Sequence, residues 1–369
     1  MIGKKLHYID AIRGLAILMV VMHHTSQKGV LQMPHFIAVL LSLGTRGVQL
    51  FFIASAFTLF RSYQNRSFVE THPIRNFFIR RFFRIAPIYY LGIFYYVFES
   101  YFDVPYWLGN QPLISIYNIM SNFFFLHGFS PFWINSLVPG GWSIAVEMLF
   151  YGLFPFLFLK IKSANSAFIF LNVTLMIKLI FQEFFYSFTF ISEPYLWREF
   201  LFYYLPSQLP IFALGILMYF LIEDSAGFKL ISRKGILLFL ILLPLQVGSR
   251  FDFLYLNHII FGIGFVIFGN LLSEGKLSFF SNTIIRYIGK ISFSIYIVHF
   301  IVISWLAKFH LLNLSDHFLI DYIIRFTLIL SLSVVISTAT YYLIEIPFQN
   351  FAKRLIKKQE SQKVILSIK

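Results

Sequence analysis

Asp10-Ala-Ile-Arg13-Gly14-Leu-Ala-Ile-Leu-Met-Val-Val-Met-His23-His24 is the stretch whose reading decides the fold of this chain. It is apolar enough for a bilayer, yet it carries an acid and an arginine near its start and two histidines at its end. On a helix turning ~100° per residue, Arg13 and His24 differ in direction by roughly 20° and in height by roughly 16 Å. They form one stripe at two depths, whereas His23 leaves the helix about 80° from the arginine direction. Ionisable groups inside a membrane helix are costly, so they face a protein interior or a water-filled cavity and mark chemistry or transport. A histidine exchanges protons near neutral pH, as general acid-base chemistry requires. His24 and Arg13 are therefore catalytic candidates, and His23 reads as structural or as a support behind the site.

Working outward, the 369 residues are 58% hydrophobic, 20% aromatic and only 12% charged, against about 25% charged in a soluble domain. The composition predicts an all-α, polytopic integral membrane protein with the lipid bilayer as its surroundings. The first apolar run lacks a small-x-small cleavage site, so it is expected to remain as a helix. Cysteine is absent, which excludes disulfides and thiolate ligands, and no metal site is expected. Apolar runs of spanning length place about ten helices, near 8–27, 36–60, 85–103, 142–160, 165–185, 204–222, 235–249, 255–272, 288–306 and 318–345. Residues 1–349 then form one transmembrane domain and 350–369 a basic cytoplasmic tail. Residues 113–129 fit this scheme only as a re-entrant or interfacial segment, because an eleventh span would put the two termini on opposite sides.

The net charge of +14 would suggest nucleic acid in a soluble protein. In a membrane protein the positive-inside rule comes first. Most of the 30 basic residues fall in stretches that the ten-helix scheme puts on one side, and only Lys28, Arg198, Arg250 and Lys308 fall on the other. Both termini are therefore expected in the cytoplasm, and no nucleic-acid partner is expected.

Further candidates follow along the chain. Arg46 and Gln49 stand one turn apart and either orient a substrate or bridge helices. Arg80, Arg81 and Arg84 cluster beyond what anchoring needs, and guanidinium forks suit phosphate oxygens. In Gly140-Gly141-Trp142-Ser143-Ile-Ala-Val-Glu147, Ser143 and Glu147 share a helix face at a depth similar to His24. A glutamate in an apolar helix needs a partner, and His24 is the candidate, since a carboxylate holds an imidazole in one tautomer. His299 falls at mid-membrane, where histidines are more often structural than catalytic.

Six ordered motifs now stand together: Asp-x-x-Arg-Gly with Arg13 and His24, Gly-Val-x-Leu-Phe-Phe at 47–52, Arg-Arg-x-x-Arg-Ile-x-Pro-x-Tyr at 80–89, Trp-Ser-x-x-x-Glu at 142–147, Ser-x-Tyr-x-x-His at 294–299, and Glu-x-Pro-Phe at 345–348. In this order they resemble the membrane-bound acyltransferase-3 family over residues 8–348. The resemblance implies transfer of an acyl group, usually acetyl, from cytosolic acyl-CoA to a hydroxyl of an envelope or exported carbohydrate, in a bacterial inner membrane. Acetyl-CoA or another acyl-CoA is then a co-substrate, with no permanently bound cofactor. Arg13 and His24 match the family's essential arginine–histidine motif, and Arg80, Arg81 and Arg84 its basic motif, while Trp142, Ser143, Arg46 and His299 are binding candidates. Gln49, Ala56 and Met148 depart from the family's usual acid, glycine and second acid. Some members carry an additional periplasmic esterase-like domain, for which 369 residues leave no room. Direct transfer with His24 as base and a covalent acyl-histidine intermediate are both open. A transporter or lipid-linked glycan flippase is the competing class, since it would also hold intramembrane charges around a polar cavity.

Overall fold

The computed structural model describes residues 6–29, 31, 33–102, 114–223, 239 and 254–367. Among them there is helix and no strand. Helix α1 (His7–Ser26) is followed by α2 (His35–Ser42), a 3-10 turn (Leu43–Arg46), α3 (Gly47–Ser67), α4 (Pro73–Phe102) and the short α5 (Ile116–Phe123). Next come α6 (Gly141–Lys160), α7 (Ala164–Tyr186), α8 (Pro194–Tyr203), α9 (Leu205–Glu223) and α10 (Leu254–Ser273). The chain closes with α11 (Thr283–Lys290), α12 (Ser292–Lys308), α13 (Phe318–Thr340), a π turn (Tyr341–Glu345) and α14 (Ile346–Ser367).

Helix α1 is the hub, packed against α3, α11, α12 and α13. Its crossing with α11 brings backbone onto backbone. A Cβ on Gly14 would stand 2.1 Å from the Ile285 carbonyl oxygen, and one on Gly289 would stand 1.7 Å from that of Asp10. Only glycine lets two helices approach so closely. Aromatic layers fill the rest of the core: the Phe212 ring stacks on Phe150 at 4.0 Å and on Phe52 at 4.5 Å, and such offset pairs add to what burial alone supplies.

The architecture is all-helical, as expected, and does not confirm the count of ten spans. Among the described residues five helical stretches are long and apolar enough to cross a bilayer: His35–Ser67, Gly141–Lys160, Ala164–Tyr186, Pro194–Glu223 and Phe318–Ser361. A sixth arises only if α11 and α12, bent by 78° at their junction, form one broken span. Helices α1 and α4 fall outside that set. The expected helix 235–249 lies outside the described residues apart from Phe239. The expected helix 36–60 is interrupted by the 3-10 turn that presents Arg46. In the doubtful 113–129 segment, α5 has eight residues, or about 12 Å of helix, far short of a hydrocarbon core of roughly 30 Å. It folds back on α4: Tyr89 OH donates to Asn122 Oδ1 at 2.7 Å, and Tyr90 OH donates to the Phe123 carbonyl at 2.8 Å. Residues 350–367 continue the last helix, and Glu360 ties them to the start of α4 by accepting from Thr71 Oγ1 at 2.5 Å and Asn76 Nδ2 at 2.8 Å.

Candidate active site

Two chambers open along α1. The larger, about 810 Å³, is lined by His23, His24, Arg46, Gln49 and Trp142 among others. The smaller, about 70 Å³, is lined by Arg13, Arg81, Arg84, Ser143 and Glu147, with Ser55 and Tyr151. Val48 and Tyr296 line both, so they form the wall or neck between the two. The stripe on α1 thus places Arg13 in one chamber and His24 in the other.

The small pocket gathers three arginines around one carboxylate. Glu147 Oε1 accepts from Ser55 Oγ at 2.5 Å and from Tyr151 OH at 2.6 Å. The expected pairing of Glu147 with His24 is not formed, because Glu147 lies two turns into α6 and faces the chamber of Arg13. Arg13 Nη2 donates to Thr58 Oγ1 at 3.3 Å. The Arg81 guanidinium lies 5.7 Å from the Phe77 ring and 5.8 Å from that of Tyr151, within cation–π range, and its buried Nε has no hydrogen-bond partner among the described residues. The basic motif does not act as one cluster. Arg81 and Arg84 share the pocket-facing side of α4, whereas Arg80 turns away and donates to both oxygens of Glu70, at 2.7 and 3.0 Å.

In the larger cavity, His24 Nδ1 lies 3.1 Å from Gln27 Oε1. That oxygen accepts from Nδ1–H, and in the neutral ring this leaves Nε2 as the acceptor. The His24 ring is 5.5 Å from His299 and 4.5 Å from Phe300. His299 is fully buried; its Nδ1 donates to the Ile295 carbonyl at 3.0 Å, and its Nε2 has no hydrogen-bond partner among the described residues. His23 also lines the cavity. Arg46 is buried at the end of its 3-10 turn, and Gln49 Nε2 donates to Gln208 Oε1 at 3.3 Å. Trp142 stacks on Tyr203 at 4.5 Å.

The start of α6 is set by Gly140, whose φ of 77° is the left-handed conformation that favours glycine. A Cβ there would also stand 2.7 Å from Tyr296 Oη. Tyr296 OH donates to the Gly140 carbonyl at 3.1 Å, and Ser143 Oγ lies 2.9 Å from the same phenol. Ser143 therefore serves the shared wall. Gln27, Ser55, Tyr151 and Tyr296 were not among the sequence candidates. Gln27 and Tyr151 stand three and four residues beyond His24 and Glu147, on the same helix faces, and that spacing was the available signal.

The profile of a family described as an acyltransferase domain matches residues 6–342. The chain belongs to the acyltransferase-3 family. Among its relatives, a Staphylococcus aureus (strain COL) protein named "Putative O-acetyltransferase" is 24% identical over 94% of this chain and 58% of its own length. The peptidoglycan O-acetyltransferase OatA of Listeria monocytogenes serovar 1/2a is 26% identical over 47% of this chain and 27% of its own. The match thus spans 58% of the Staphylococcus protein's length and 27% of the Listeria protein's. No solved structure matches it. As an acyltransferase-3 member with apolar helices of spanning length, the chain is an integral membrane protein, and its two motif residues Arg13 and His24 fall in the two chambers.

Proposed function

We propose that this chain transfers an acyl group, acetyl first, from acyl-CoA held at its arginine-rich end to a hydroxyl of an envelope carbohydrate in the larger cavity. The observation that carries this is the pair of chambers on one helix: Arg13, Arg81 and Arg84 in a small pocket, His24 in a wide cavity, and Val48 with Tyr296 between them. The arginine-rich end faces the cytoplasm by the positive-inside rule, where acyl-CoA is found. Guanidinium groups there hold the donor's phosphates, and the thioester arm reaches past Val48.

His24 Nε2 accepts the proton of the acceptor hydroxyl as its oxygen attacks the thioester carbonyl. The carbon–sulfur bond breaks, the ester forms, and the departing CoA sulfur takes up that proton from His24, which returns to its neutral form. Gln27 holds the tautomer in place of the carboxylate expected from sequence, and Arg46 lines the same cavity. Family membership favours this over the transporter that intramembrane charges alone would fit. The test is mass spectrometry of envelope polysaccharide from cells with and without the gene: loss of O-acyl groups on deletion, restored by the wild-type chain, supports the reading, and an unchanged acyl pattern overturns it.

A further inference from the structure

Neither chamber explains the buried ion pair on α13. Arg325 Nη1 donates to Asp321 Oδ2 at 2.5 Å, one turn away, and the two side chains are 2% and 1% exposed. Such a pair is costly to bury and is no better than well-packed apolar residues at holding helices together. Its further hydrogen bonds say what it does. Arg325 Nε donates to the Thr25 carbonyl of α1 at 3.2 Å, and Nη1 also donates to the Leu312 carbonyl at 2.6 Å. Asp321 Oδ1 accepts from the backbone of Leu314 at 2.7 Å and of Ser315 at 3.3 Å, which fixes the loop before α13. On the same helix face, Tyr322 OH donates to the Met22 carbonyl at 3.2 Å. The two acceptors, Met22 and Thr25, bracket His23 and His24. The chain leaving α1 closes over the guanidinium, for a Cβ on Gly29 would stand 2.5 Å from Arg325 Nη2.

We propose that Asp321, Tyr322 and Arg325 form a clamp that sets the rotation of the last turn of α1 and so aims His24 into the larger cavity. They are positioning residues, and the inference rests on His24 acting as proposed above. Gripping the turn on both sides of the histidine pair fixes its direction as well as its depth. The positive charge at the C-terminal end of α1 is also the sign that the helix dipole favours.

The test uses the full chain in detergent with two variants: Tyr322→Phe, and the double substitution Asp321→Leu with Arg325→Met, which leaves no lone buried charge. Each is measured by acyl-transfer kinetics and by hydrogen exchange of the 20–27 segment. The clamp predicts that kcat falls roughly 10- to 100-fold, as about 1 Å of misplacement can cause, that the acyl-CoA KM stays within about twofold, and that exchange at 20–27 rises. A folded double variant with wild-type turnover overturns it, as does lost turnover with unchanged exchange. If the double variant does not fold, Tyr322→Phe decides by the same two readouts. If the wild-type chain shows no transfer at all, the proposed function fails, and the exchange comparison still tests whether the clamp orders this turn.

Discussion

Replacing Arg84 by Gln should weaken acyl-CoA use far more than replacing Arg80 by Gln, although both belong to one sequence motif. Arg84 lines the pocket shared with Arg13 and Arg81. Arg80 is engaged by both oxygens of Glu70. A hydrogen bond to a charged group contributes about 1.5–3 kcal/mol, and each 1.4 kcal/mol is about tenfold in affinity. Arg84→Gln should therefore raise the acyl-CoA KM roughly 10- to 100-fold while changing kcat less, the pattern left by loss of uniform binding. Arg81→Gln should do the same. Arg80→Gln breaks a half-buried pair, 16% exposed on each side, so its effect should appear as lower thermal stability with donor dependence unchanged. The assay is initial-rate kinetics over a range of acyl-CoA concentrations with detergent-solubilised, folded protein. If Arg80→Gln raised KM as much as Arg84→Gln, or if both pocket arginines could be replaced without effect, the split of the motif would carry no functional meaning.

Two further outcomes follow from the chambers. Val48→Trp fills the wall they share, so turnover should fall by about 100-fold or more while acyl-CoA protection against thermal unfolding persists; equal loss of both would show that the neck is not the route. Glu147→Gln removes the carboxylate from a pocket lined by three arginines, and breaking a buried charge arrangement costs about 3–5 kcal/mol, so unfolding in detergent should come several degrees lower; an unshifted midpoint would mean that Glu147 does not balance those charges.

The membrane class was legible in composition, and the opening stretch was legible in detail: the ~100° helical step that put Arg13 and His24 on one stripe is what the structure places in two successive chambers. What stayed hidden depended on partners distant in sequence. Similar depth suggests Glu147 as the partner of His24, but depth along an axis does not say which neighbour a side chain faces, and Ser55 on α3 supplies the contact. Likewise, anchoring and pocket-lining arginines look alike in a motif, and it takes Glu70 to remove Arg80 from the group. The count of ten spans assumed that apolar length means crossing. The 78° break between α11 and α12 leaves no mark in hydropathy.

The most direct measurement of the central claim reconstitutes the purified chain in vesicles with labelled acetyl-CoA and a polysaccharide acceptor, comparing wild type, His24→Ala and His23→Ala in one assay of O-acetyl transfer. General base catalysis contributes about 10²–10⁴-fold, so His24→Ala should lose at least that much while remaining folded, and His23→Ala should keep most of its activity. An active His24→Ala beside a dead His23→Ala would contradict the account.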